Sequence, residues 1–209
     1  MNGQRSKTIN AYESLKTLLR EGLIDKNRII PTNELAELVS MGRAPVLEAL
    51  KKLELERHVI IIPQKGVMVR EMTVQEMREI NDVRIALEGF MAMKIAPGFS
   101  DEDSAYIREL LKEQSAAEKA DDPRRFIKSD EEFHMYLCEK SGNSLFISIM
   151  QQLRERSFTA GLYILMRPDR MKSTLEEHNR IFRALVARDA DAAGREMIAH
   201  IESGKSRLV

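Results

Sequence analysis

One short stretch of this chain departs from helical periodicity, and its isolation limits the folds available. Val59-Ile60-Ile61-Ile62-Pro63 and Val67-Met68-Val69-Arg70 are β-branched runs separated by Gln64-Lys65-Gly66, the pattern of a hairpin with a glycine at its turn. On either side, apolar residues recur at helical spacing. Upstream, Tyr12, Leu15 and Leu19 share one face that Leu23 extends, and Gly22 marks the end of the helix. A second short helix is expected from Thr32 as N-cap after Pro31, turning Leu35, Leu38 and Val39 inward. A third is expected from about Arg43 to Glu56, burying Val46, Ala49, Leu50 and Leu53 and leaving the stripe Arg43, Leu47 and Lys51 outward. Three helices followed by one small hairpin read as a winged helix-turn-helix.

After the hairpin the helical pattern returns and is never interrupted again. Thr73 and Glu76 have the spacing of a capping box. Helices are predicted at roughly 74–96, 101–120, 124–141, 144–166, 169–188 and 190–207. They are punctuated by Pro97-Gly98 with Ser100, Asp121-Asp122-Pro123, Gly142-Asn143, Arg167-Pro168 and Asp189, with Asn143 capping the helix that follows it. The predicted fold is therefore mainly α, with residues 1–71 as a DNA-binding domain and residues 72–209 as an antiparallel six-helix bundle.

Composition narrows the setting. No apolar run approaches the ~20 residues of a membrane span, and no apolar segment follows the first residues, so neither a membrane segment nor a secretory leader is expected. A single cysteine, Cys138, excludes an internal disulfide and suits a reducing cytoplasm. Lys plus Arg and Asp plus Glu number 33 each, but residues 1–70 carry 12 basic against 8 acidic side chains, so the front is mildly basic and the rest mildly acidic. A helical DNA reader needs only a local phosphate-facing patch.

The histidines point to a second chemistry. Asp130 and His134 stand one turn apart, ~6 Å of rise and ~40° of rotation, and can address one ion from the same face. His178 and His200 on two later helical patterns would add two imidazoles, giving a divalent metal site. One carboxylate with three imidazoles suits zinc first, or nickel, manganese or iron, rather than calcium. The set retains about one positive charge and should attract an anion. His58 lies outside the bundle at the wing entry and reads as structural. Cys138 has drifted ~80° from the Asp130 face and reads as core. The methionines, including Met91, Met93, Met135, Met150 and Met166, read as adaptable core.

Several of these stretches carry a family resemblance. Leu35-Ala36-Glu37-Leu38-Val39, Arg43-Ala44-Pro45-Val46-Leu47-Glu48-Ala49-Leu50 and Pro63-Gln64-Lys65-Gly66-Val67-Met68-Val69 resemble the winged helix of GntR-family bacterial transcription regulators. Arg84-x-x-x-Glu88, Asp130-x-x-Phe133-His134, Ser141-Gly142-Asn143, His178, Ala184-Leu185 and Met197-x-x-His200 resemble the FCD effector domain of the FadR subfamily. The resemblance implies a homodimeric repressor on a palindromic duplex operator, with Arg43, Leu47, Lys65 and Gly66 at the DNA. It also implies a metal held by Asp130, His134, His178 and His200, and a small carboxylate effector in a cavity beside it, clamped by Arg84. A plain Arg84–Glu88 ion pair on one helix face is the alternative role for that arginine. The chain departs from the family where Gly42 replaces a serine or threonine, Ala44 a threonine, and Leu47 and Asn33 arginines, which implies an altered or weaker operator preference.

Two rival functions share the same residues. A metal with three imidazoles could activate water in a hydrolase-like enzyme, but no further Asp, Glu or His stands at a fixed spacing to act as base. Alternatively the metal could be purely structural, with no small-molecule effector.

Overall fold

The computed structural model describes residues 2–206, which fall into two compact units, Met1–Glu71 and Met72–Val209. In the first, α1 (Asn2–Arg20), α2 (Thr32–Leu38) and α3 (Arg43–Leu55) precede an antiparallel hairpin of β1 (Val59–Ile62) and β2 (Gly66–Val69). Ala11, Tyr12, Leu15, Leu35, Val46, Ala49, Leu50 and Leu53 form the core of this winged helix with Ile30, Val59 and Val67. A feature absent from the periodicity is the bridge between Ile30 and Val67, which exchange two backbone hydrogen bonds of 2.8 Å and tie the wing to the segment before α2. Three expectations fail at helix ends. Leu23 lies beyond α1 and is 62 % exposed, because Gly22 has already turned the chain at φ 66°. Leu38 is 53 % exposed at the last residue of α2. Thr32 is the first helical residue rather than the cap; Pro31 precedes it and no side chain caps the helix.

The second unit is the six-helix bundle: α4 (Val74–Ile95), α5 (Asp101–Lys119), α6 (Pro123–Lys140), α7 (Ser144–Leu165), α8 (Arg170–Val186) and α9 (Ala190–Ser206), with a 3₁₀ turn over Ala96–Gly98. Residue 207, the expected end of the last helix, lies outside the described residues. The Thr73–Glu76 capping box is complete, and the Asn143 side chain accepts from the Leu145 and Phe146 amides at the start of α7. Phe133, Leu137, Met150, Ile181, Leu185 and Met197 fill the centre, with Cys138 fully buried among them. Met91 joins this core, but Met93 and Met166 are 40 % and 61 % exposed. Helices α4 and α9 cross closely because Gly89 and Gly194 leave room. A Cβ at Gly194 would lie 2.3 Å from Met93 Cγ and one at Gly89 2.6 Å from Ile198 Cγ1. That approach sets Glu88 on α4 and His200 on α9 at the middle of the bundle. No helix among the described residues is long and apolar enough to cross a membrane.

Candidate metal centre and DNA-facing surface

Asp130 and His134 on α6, His178 on α8 and His200 on α9 are all buried, and one ligand atom from each lies within 4.8 Å of the others. His200 Nε2 is 3.2 Å from His134 Nε2 and 3.4 Å from His178 Nε2; Asp130 Oδ1 is 3.5 Å from His178 Nε2 and 4.0 Å from His134 Nε2. The other nitrogen of each ring is occupied. His134 Nδ1 faces Glu88 Oε2, His178 Nδ1 faces Gln114 Oε1 at 2.8 Å, and His200 Nδ1 faces Glu177 Oε2 at 2.7 Å. These acceptors place the proton on Nδ1 and leave three Nε2 lone pairs aimed at one another, an arrangement that repels itself unless a cation sits between them. Around an ion with bonds of ~2.0–2.1 Å, neighbouring ligand atoms stand about 2.9–3.4 Å apart, so the imidazole spacings fit. The 4.0 Å pair is wider than a tetrahedral edge and suits a more open shell.

A second layer orients these ligands. Arg84 Nε donates to Glu88 Oε1 at 2.7 Å, so the Arg84–Glu88 ion pair exists and its carboxylate also holds His134. Arg154 on α7 donates through Nη2 to Asp130 Oδ2, leaving Oδ1 for an ion, while its own Nε and Nη1 are buried without partners among the described residues. Arg170 and Ser203 both bind Glu177. Burial alone would raise the Asp130 carboxyl, but the Arg154 guanidinium holds it well below the usual range. Glu177 is likewise brought down to about 2 against burial, first by the hydrogen bond from His200. Of these partners only Arg84 and Glu88 stood out in the sequence. Gln114, Arg154, Arg170 and Glu177 come from three different helices; Arg170 and Glu177 stand two turns apart on α8, but no spacing ties them to the other two or to the histidines. Phe133 stacks on His178, with centroids 4.3 Å apart. Cys138 is pushed up to about 11 by burial, which suits a core thiol rather than a ligand.

The imidazoles set a pH dependence. Burial pushes His134 down to about 4 against the pull of Glu88, and drives His178 well below its ordinary value. Both rings are therefore neutral in the fold, whereas the unfolded chain protonates them below about 6.5. Between those values the unfolded state binds more protons, so stability falls as the pH is lowered from about 6.5 to about 4. The loss is about 1.4 kcal/mol per pH unit for each such ring. Urea unfolding of the metal-stripped protein should show its midpoint dropping across this window, and a flat midpoint from pH 7 to 4.5 would contradict the neutral assignment.

A cleft of about 70 Å³ reaches this centre, lined by Asn81 and Arg84 on α4, Asp130 on α6, Gly161 on α7, Arg170 and Thr174 on α8 and His200 on α9, with apolar neighbours.

In the first unit, Arg43 opens α3 and is exposed, and Leu47 one turn on is 36 % exposed. Gly42 offers no side-chain cap, so the first amides of α3 are available to an anion. Lys51, on the same stripe, is paired with Glu48 at 2.7 Å. Lys65 is exposed at the hairpin turn. Gly66, by contrast, is the first residue of β2, and the space its Cβ would occupy is filled by the Ile30 carbonyl.

A family model described as bacterial regulatory proteins, gntR family, matches residues 7–69, and the FCD domain model matches residues 79–203. Among curated proteins, the chain is 27 % identical over 200 residues to the HTH-type transcriptional regulator McbR of Escherichia coli, covering 94 % of this chain and 89 % of that one. It is 28 % identical over 167 residues to the gluconate operon transcriptional repressor of Bacillus licheniformis, covering 80 % and 68 %. The solved structure of E. coli McbR/YncC aligns with a TM-score of 0.81 at 22 % identity over 97 % of this chain and 96 % of that one. A putative GntR transcriptional regulator from Rhodococcus sp. RHA1 aligns at 0.80, with 20 % identity and 97 % of each chain covered. At those identities the structures speak to the fold.

Proposed function

Because the chain belongs to the GntR family of bacterial regulatory proteins and carries an FCD domain behind its winged helix, we propose that it is a cytoplasmic, homodimeric transcriptional repressor. On this reading it binds a palindromic operator and is released by a small organic acid taken up beside a bound divalent ion. The relatives are transcription regulators, which sets the hydrolase reading aside. The observation that carries the metal reading is the convergence of three Nε2 atoms and Asp130 Oδ1, each fixed from behind by its own partner. Zinc, nickel, manganese and iron(II) all suit the donors. When bound, the ion would offer a positive centre with room for a carboxylate.

The chain's own residues do the rest. Asp130 and the three imidazoles hold the ion, Arg84 on the cleft wall would orient the acid's carboxylate, and the apolar lining excludes water. An acid that binds one arrangement of the helices better than another shifts the equilibrium by that difference, typically about 1–3 kcal/mol, and this biases the operator-binding form. Native mass spectrometry tests the assembly directly: a dimer carrying one ion per chain is expected, and a monomer without metal would refute the reading.

At the DNA, Arg43 at the start of α3 would fork onto a guanine or a phosphate, Leu47 would pack on a thymine methyl, and Lys65 at the wing turn would meet the backbone. Arg43→Ala should weaken binding about 10- to 100-fold, measured by fluorescence anisotropy on a duplex recovered by selection from random sequence. Because Arg43 is exposed, the fold should be unaffected. An unchanged affinity would remove α3 from the recognition role.

A further inference from the structure

The cleft beside the metal centre holds two polar groups that no partner among the described residues satisfies. Thr174 is 1 % exposed and its hydroxyl has no partner. A buried helical threonine ordinarily closes that hydrogen bond on a carbonyl one turn back. Four residues earlier on the same face of α8, Arg170 is 4 % exposed, and its Nε also lacks a partner. The rest of that guanidinium is engaged: Nη1 and Nη2 reach Glu177 at 3.1 and 3.3 Å, and Nη1 also reaches Ser173 and Ser203. Both residues line the same cleft as Asp130 and His200. Two buried unpaired donors in one wall are a standing cost that a bound acceptor would remove.

Charge points the same way. Three guanidinium groups, Arg84, Arg154 and Arg170, are matched by three carboxylates, Glu88, Asp130 and Glu177. A divalent ion among neutral imidazoles therefore leaves two uncompensated positive charges in a buried site, and one carboxylate cancels only half of them.

We propose that Arg170 Nε and Thr174 Oγ1 form a second anion subsite, so that the effector is a short-chain dicarboxylate rather than a monocarboxylic acid. This rests on the small-acid reading above. One carboxylate goes to the ion and the other accepts from the α8 pair. The cleft, at about 70 Å³, is roughly half the ~150 Å³ that accommodates benzene in an engineered protein cavity, which restricts the acid to a few carbons.

Calorimetric titration of the full-length, zinc-loaded protein with malonate, succinate and glutarate, each against its monocarboxylate (propionate, butyrate, valerate), tests this. At least one dicarboxylate should bind about tenfold or more tightly than its partner. Thr174→Val, which keeps the shape and removes the donor, should cost that dicarboxylate about tenfold and leave the monocarboxylate unchanged, with the metal content constant. Equal binding of every pair, or equal losses for both members in the variant, would overturn the second subsite while leaving the small-acid reading in place. If none of the six acids binds to protein holding one ion per chain, the small-acid reading falls and the dicarboxylate proposal with it.

Discussion

Changing His178 to alanine is expected to cost the bound ion at least about 100-fold in affinity and to weaken the bundle even when no ion is present. The first effect follows from geometry. His178 Nε2 lies 3.4 Å from His200 Nε2 and 3.5 Å from Asp130 Oδ1, so its loss leaves a three-ligand site with one flank open. Loss of an outer partner alone typically costs a metal site 10–100-fold, and a direct ligand should cost more. The second effect follows from burial. The ring is fully buried, stacks on Phe133 and supplies the donor for Gln114 Oε1, so alanine leaves a hole beside an aromatic face and an amide oxygen short of a partner. Those terms amount to about 2–4 kcal/mol. Elemental analysis after dialysis measures the first, and urea unfolding of both proteins in chelator measures the second. A variant that still retains one ion per chain would show that the four side chains are not a metal site. Gln114→Leu should fall between the two: ring and ligand stay, the orienting acceptor goes, and affinity drops by about 10–100-fold.

Much of this centre was legible before any coordinates, for a specific reason. Asp130 and His134 are local to one helix, so their shared face follows from 3.6 residues per turn alone. The helix boundaries were equally local, because Pro97-Gly98, Asp122-Pro123 and Gly142-Asn143 act through their own backbone conformations, and the capping box at Thr73 is a four-residue device. That His178 and His200 join the pair depends on how three helices pack, which a periodic pattern does not encode; there the resemblance carried what spacing did not. Arg154 was missed on the same ground. It sits in Leu153-Arg154-Glu155-Arg156, a run that reads as a solvated face, yet it is 6 % exposed and holds Asp130. Glu177 had one available cue, its position directly before His178, but adjacent helical residues point about 100° apart and the contact it makes is with His200. Leu23 and Leu38 failed in the opposite direction: the apolar pattern continued past Gly22, where the backbone had already turned, and Leu38 ends α2 with its side chain exposed.

Gly66→Ala is expected to damage the winged helix by about 3 kcal/mol or more, which distinguishes a structural role for this glycine from one at the DNA. The residue has φ 140°, a conformation that side chains rarely adopt, and a Cβ there would lie 2.3 Å from the Ile30 carbonyl oxygen and 2.8 Å from its carbon. The obstacle is backbone, which cannot swing aside as a side-chain tip would. Relief requires the wing to move away from Ile30, and that breaks the paired 2.8 Å hydrogen bonds between Ile30 and Val67 and uncovers two residues that are each 3 % exposed. The Ile30 and Val67 amides should therefore lose hydrogen-exchange protection in the full-length variant, while its metal content stays at the wild-type value. Lys65→Ala, one residue away and exposed at the turn, should keep that protection and only lower operator affinity, reducing its salt dependence by about one counterion. Were Gly66 there to bring a backbone N–H to phosphate, the two variants would behave alike, with protection intact and DNA affinity reduced in both. A protected Ile30–Val67 pair in Gly66→Ala would refute the packing argument.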